Sequence, residues 1–207
     1  MAEDKVKKTI SAYKYLAKTF ARQNVDRSVV FPDIEKFAKL LPKKGKLLDL
    51  GCGVGFDSRD FNKLRPDLEI LGLDASTEML DEFRVIASGI PYILADMVSY
   101  EYPKEYYDGI WMNASLLHIP KSQSYPLMIK VVSSLKKGGK MYIKVKEGKG
   151  ERFVSASKYG RRDVKRFFSF YTKKELENLL KEFPLKIIFI GRTEGSKKRL
   201  SAVAEKE

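Results

Sequence analysis

Cysteine, histidine and tryptophan occur once each in this 207-residue chain. The lone cysteine, Cys52, excludes an intramolecular disulfide and a cysteine-based metal cluster, and no metal site is expected. No apolar run approaches the length of a membrane span, and the opening Met-Ala-Glu-Asp-Lys has no apolar signal core. A cytoplasmic protein with no membrane partner is therefore expected. With neither internal repeats nor low-complexity tracts, residues 1–207 read as one α/β domain, large enough for a three-layer core.

Charge is abundant but unevenly placed. Residues 1–129 hold 18 Lys and Arg against 18 Asp and Glu, whereas residues 130–207 hold 22 against 9, so the last third carries the whole net charge of +13. Such asymmetry points to an anionic partner or substrate, RNA above all. A Lys- and Glu-rich chain with few Asn, Gln, Cys and His also has the composition of high-temperature proteins, for which the same cations are a solvated surface.

The most informative stretch is Lys46 to Gly55, Lys-Leu-Leu-Asp-Leu-Gly-Cys-Gly-Val-Gly. Leu47, Leu48 and Leu50 have the length of a strand buried on both faces of a parallel sheet. Gly51, Gly53 and Gly55 then remove side chains where backbone turns sharply or approaches a ligand. A dinucleotide turn needs G-x-G-x-x-G. Here the third glycine comes one residue early and Phe56 stands where it would be needed. A second apolar run, Glu69 to Asp74, also ends in an acid, about twenty residues after Gly55, the span of a βαβ unit. A carboxylate at that strand tip can accept hydrogen bonds from both hydroxyls of a ribose.

Asp49-x-Gly51-x-Gly53-x-Gly55 followed by Asp74 resembles the first motifs of the class I S-adenosylmethionine-dependent methyltransferases. The resemblance covers roughly residues 10 to 204. It implies a doubly wound, Rossmann-like sheet of seven strands in the order 3-2-1-4-5-7-6, the last strand antiparallel, with helices on both faces. It implies S-adenosylmethionine as cofactor and S-adenosylhomocysteine as product, with no metal. Asp49 is expected near the cofactor's cationic amino group and Asp74 on its ribose, with Ala75, Met79 and Asn113 beside it. Asp96, at the tip of a third strand, is expected at the adenine amino group, with Met97 on the ring.

Residues 5–23 carry a helical stripe, Val6, Ile10, Tyr13, Leu16, Ala17 and Phe20, and a second helix opens at Pro32 and stops at Pro42. These N-terminal helices, residues 1–42, are expected to cover the cofactor; Tyr13 and Tyr15 resemble tyrosines that do so in the family. The fourth strand, Tyr107 to Met112, runs into Asn113 to Pro120. His118 lies there, where small class I methyltransferases often carry a histidine, and is the expected catalytic residue: an ordinary histidine titrates near pH 6.5, suited to taking a proton. A helix over Gln123–Leu135, with Pro126 in its first turn, ends at Lys136-Lys137-Gly138-Gly139 before a fifth strand, Lys140–Val145. Residues 146–171 interleave cations with aromatics and read as a lid or substrate loop, with Tyr159, Arg161, Arg162 and Arg166 as substrate contacts. Thr172-x-x-Glu175 is a capping box opening the last helix, and Leu185–Ile190 and Leu200–Ala204 form a closing hairpin across a polar turn.

Methyl transfer leaves few marks of the acceptor, because the cofactor activates its own methyl group. No Asn-Pro-Pro-Tyr or Asp-Pro-Pro-Tyr follows the fourth strand, which argues against base amino groups and glutamine amide, and Cys52 is misplaced for cytosine carbon methylation. A small molecule and a modified RNA nucleoside both remain as acceptors, for a monomer or homodimer. The non-enzymatic alternative, an RNA-binding protein using the basic third, leaves Asp49 and Asp74 unexplained.

Overall fold

The computed structural model describes residues 2–192 and 198–207. Its main sheet has seven strands: β1 (Lys46–Leu50), β2 (Glu69–Asp74), β3 (Tyr92–Leu94), β4 (Tyr107–Asn113), β5 (Leu135–Lys146), β8 (Leu185–Arg192) and β9 (Arg199–Lys206). Their order is β3-β2-β1-β4-β5-β9-β8, with β9 antiparallel to both neighbours. Counting only these strands, this is the expected 3-2-1-4-5-7-6. β1 alternates between the two layers: Leu48 and Leu50 pack with Val131 and Leu176 on one face, Leu47 with Phe37, Phe61 and Phe83 on the other.

Helices α3 (Phe31–Ala38), α4 (Phe56–Leu64) and α5 (Thr77–Ile86) cover the second face, and α6 (Lys121–Ser134) and α7 (Lys173–Lys181) the first. Ser76 caps α5 by accepting the Met79 N–H, and Thr172 and Glu175 form the reciprocal capping box of α7. Among the described residues no helix is long and apolar enough to cross a membrane.

Four expectations need correction. The first helix is two, α1 (Ala2–Lys14) and α2 (Ala17–Gln23), because Tyr15 and Leu16 bond back to Ala12 and Tyr13 in tighter three-residue steps. Pro126 lies in the second turn of α6, since that helix begins at Lys121. Residues 136–139 belong to β5, which starts at Leu135 and passes a register shift before Lys140. Residues 146–171 are mostly a β-hairpin, β6 (Glu151–Ala156) and β7 (Arg161–Ser169), whose inner aromatics Phe167, Phe168 and Phe170 are buried. The polar turn expected between the last two strands falls on 193–197, outside the described residues.

Candidate functional site

The sheet's carboxyl edge opens at the turn after β1. There Gly51 has φ +78°, and a Cβ on it would stand 2.4 Å from the Ser115 Cβ, so backbone from two strand ends meets with no room for a side chain. The Gly51 and Cys52 N–H groups donate to the Leu73 carbonyl at 2.7 and 3.0 Å, holding the turn against β2. Gly53 donates its N–H to Asp74 Oδ2 and Ser76 donates its N–H to Oδ1, both at 2.9 Å. Each Asp74 oxygen thus accepts one backbone bond and keeps acceptor capacity for a second partner.

This edge borders a cavity of about 520 Å³, a size usual for small-ligand sites. Of the residues expected at a site, Tyr13, Gly51, Gly53, Asp74, Ala75, Met79, Asp96, Met97, Asn113, His118, Tyr159 and Arg166 line it. Four do not. Gly55 packs under the Phe83 ring. Asp49 is buried beneath the turn, accepting from Ser58 Oγ at 2.6 Å, and burial, reinforced by Asp57 and Asp74, pushes its carboxyl up to about 8. It does not face the cavity to meet a cation. Arg161 pairs with its neighbour Asp163 at 2.7 Å and lies over the exposed Tyr15 ring, and Arg162 is exposed; neither reaches the cavity. Tyr15 accordingly covers nothing there.

The group that replaces Asp49 on the wall is Asn113, and a carboxylate the sequence did not single out orients it. Asp57 Oδ2 accepts from Trp111 Nε1 at 2.7 Å and from Asn113 Nδ2 at 2.6 Å, while Oδ1 pairs with Arg27. With its amide nitrogen so held, Asn113 turns Oδ1 away, and that oxygen is buried without a partner. Asp57, in the first turn of α4, reads in sequence as an ordinary helix-start acid, and nothing near Arg27 signals its pairing.

His118 is held at both ring nitrogens. Nδ1 lies 2.8 Å from the Phe167 carbonyl, which only accepts, so Nδ1 carries the proton and Nε2 accepts from the Tyr13 hydroxyl at 2.8 Å. Arg166 Nη1 donates to the same hydroxyl at 3.2 Å. Burial, with Arg166 and Lys146 nearby, pushes the histidine down to about 3, below the value near 6.5 expected of an ordinary imidazole. Burial also pushes the Tyr13 phenol up. The pair is neutral at physiological pH and serves as a fastening between α1 and the turn after β4. Thr9, one helical turn before Tyr13, adds a second fastening by accepting the Phe167 N–H at 3.0 Å. Among the described residues no three His, Cys, Asp or Glu side chains group to hold a metal ion.

Comparison with known proteins adds to this geometry. Residues 47–139 match the family model described as a methyltransferase domain. A carboxy-S-adenosyl-L-methionine synthase of Campylobacter concisus is 31% identical over 125 residues, 56% of this chain and 53% of that protein. A trans-aconitate 2-methyltransferase of an Enterobacter species is 33% identical over 121 residues, 58% of this chain and 47% of that protein. The chain thus spans about half the length of these curated relatives. Among solved structures, the Burkholderia thailandensis 1,6-didemethyltoxoflavin-N1-methyltransferase with bound S-adenosylhomocysteine superposes with a TM-score of 0.71 at 18% identity, covering 95% of this chain and 87% of that one. The chain thus has the fold of the class I S-adenosylmethionine-dependent methyltransferases, and its residues 47–139 match a methyltransferase domain.

Proposed function

We propose that this protein binds S-adenosylmethionine in the cavity and transfers its methyl group to a small-molecule acceptor. The observation that carries the reading is the pairing of Asp74 with the glycine turn. A carboxylate pinned by two backbone N–H groups, with acceptor capacity left on both oxygens, suits a ribose diol. The partnerless Asn113 Oδ1 offers an acceptor suited to a cationic amino group. Carboxylates at this edge would repel the phosphates of a dinucleotide or of RNA, but nothing in S-adenosylmethionine is a phosphate.

When bound, that cofactor supplies an already activated methyl group, so the chain's task is to hold, orient and exclude water. Asp74 and Asn113 fix the cofactor. The Tyr13–His118–Phe167 chain of bonds and the Thr9–Phe167 bond hold α1 against β7 beside the cavity. His118 acts as a positioning residue, because at neutral pH it neither holds a free lone pair nor takes a proton readily. A small acceptor is favoured over RNA because Lys146, Arg166 and Arg199 reach the cavity and are half-buried or buried, whereas Arg161 and the exposed Arg162 lie outside it.

Calorimetry with S-adenosylhomocysteine tests the cofactor. A micromolar-range dissociation constant is expected, and absence of binding, or equal binding of NAD, overturns the reading. Incubation with methyl-deuterated S-adenosylmethionine and metabolite extract, followed by mass spectrometry for labelled products, then identifies the acceptor.

A further inference from the structure

We propose that Lys146, Arg166 and Arg199 form a subsite that binds a carboxylate or phosphate of the acceptor. The inference rests on the cavity being a methyltransferase site, as proposed above, and deepens it by naming the acceptor's chemistry. Lys146 closes β5, Arg199 opens β9, and the two stand directly opposite in antiparallel register. Like charges in that position destabilise a sheet. Arg166 comes from β7, and all three line the cavity.

What distinguishes these three from their neighbours is the lack of a counter-ion among the described residues. Lys144 pairs with Asp33, Arg192 with Glu147 and Arg161 with Asp163. Among the described residues no carboxylate pairs with Lys146, Arg166 or Arg199. The contacts of Lys146 and Arg166 are instead aromatic: Lys146 Nζ lies 3.7 Å from the Phe168 ring centre, and the Arg166 guanidinium packs 5.2 Å from the same ring and 5.1 Å from that of Tyr159. Arg166 is 8% exposed, and its Nε is buried with no partner. A buried guanidinium donor without an acceptor costs stability. Burial, with Arg166 and Arg199 next in weight, pushes Lys146 down to about 8.

The remedy for such a cluster is an oxyanion. A guanidinium and two flanking cations match a carboxylate or phosphate, each charge-assisted bond being about twice as strong as a neutral one. Because Arg166 is nearly buried, the oxyanion must enter the cavity, which favours a compact acceptor over a polymer backbone.

The test uses the protein saturated with S-adenosylhomocysteine and titrated calorimetrically with citrate and with inorganic phosphate. At least one is expected to bind, and Arg166→Gln and Lys146→Met are each expected to weaken it about tenfold or more, the loss of one hydrogen bond to a charged group. Affinity for S-adenosylhomocysteine should change little. Lys146→Met should also raise the melting temperature without ligand, since it removes a repulsion; a lysine kept for folding would lower it. If wild type fails to bind S-adenosylhomocysteine, the methyltransferase reading fails before the subsite is tested by these anions. If the complex forms but neither anion binds, or the variants bind equally, the subsite is wrong. If both variants weaken S-adenosylhomocysteine but leave 5′-methylthioadenosine, which lacks the amino-acid carboxylate, unaffected, the cations hold the cofactor's own carboxylate and the proposal is overturned. Binding of RNA alone, lost in an Arg161→Ala, Arg162→Ala double variant, overturns it as well.

Discussion

The Tyr13 hydroxyl and His118 Nε2 lie 2.8 Å apart, joining residues 105 positions distant, while the Phe167 carbonyl at Nδ1 fixes which nitrogen of the chain's one histidine bears its proton. Because the carbonyl on the other side accepts, the imidazole is already satisfied when neutral, and protonating it would require the Tyr13 hydroxyl, which already accepts from Arg166, to turn from donor to acceptor. Burial and this hydrogen bonding both disfavour a proton-accepting role near neutrality.

The first prediction follows from that bond. As the only histidine, His118 gives a single Hε1 signal in a proton NMR titration, and that signal should stay flat from pH 8 to 5. Its native value lies below the unfolded one, so the unfolded chain binds the extra proton between about pH 6.5 and 3. Stability is fully present above 6.5 and falls as the solution is acidified, by about 1.4 kcal/mol per pH unit while only the unfolded state is protonated. His118→Gln should flatten this acid limb relative to wild type. A midpoint near 6.5 in the NMR titration would restore the histidine as a candidate base.

Asp74 carries the second prediction. Asp74→Asn removes the charge and, by turning an amide toward Gly53 or Ser76, leaves one backbone N–H without its acceptor. Affinity for S-adenosylhomocysteine should fall by about 1.5–3 kcal/mol, roughly ten- to hundredfold. Calorimetry reads this directly. Unchanged affinity would mean that Asp74 only braces the turn.

The contrast between Asp74 and Asp49 explains how much of the site was legible. Glycine spacing and a strand-ending acid are local, and they sufficed for the turn and for Asp74 at its edge, whereas the order of the main sheet came from the family resemblance those residues carry. Asp49 sits inside a strand buried on both faces, where alternation does not say which layer opens onto the cavity, so its side chain was misassigned. Arg166 and Arg161 differ for a similar reason. Read as a loop, residues 146–171 give every cation equal standing; as a hairpin, register sends Arg166 inward and Arg161 out. Arg199 meets Lys146 only through strand pairing 53 residues distant in sequence, for which no local signal exists.

A third prediction separates two glycines of the same turn. Both Gly51 and Gly53 have positive φ, at +78° and +55°, so alanine strains either by about 1–2 kcal/mol. At Gly53 the added methyl would meet only Met79 Cε at 3.5 Å, an ordinary contact, whereas at Gly51 it would clash with Ser115 at 2.4 Å. Overpacking of that kind adds about 1–3 kcal/mol. Urea unfolding should therefore rank Gly51→Ala well below Gly53→Ala in stability. Equal midpoints would show that the Ser115 turn yields.

The last prediction concerns Asp33 and Lys144, which tie α3 to the sheet at the cavity's edge. Lys144 is fully buried, and Asp33 Oδ2 accepts from its Nζ at 2.8 Å and from the Tyr142 hydroxyl at 2.6 Å. Burial lowers the lysine's pKa, and Asp33 opposes that shift. Asp33→Asn would leave the ammonium buried without compensation, at a cost of about 3–5 kcal/mol, whereas removing both charges in Asp33→Asn, Lys144→Met should recover much of the loss. The single variant should also be relatively more stable at pH 9.5 than at pH 7. Its lysine would titrate lower when folded than when unfolded, so stability grows as pH rises through that interval. Urea melts of wild type, single and double variants at both pH values decide the matter. A double variant no more stable than the single one would show that Lys144 contributes through its packing and hydrogen bonds rather than through its charge.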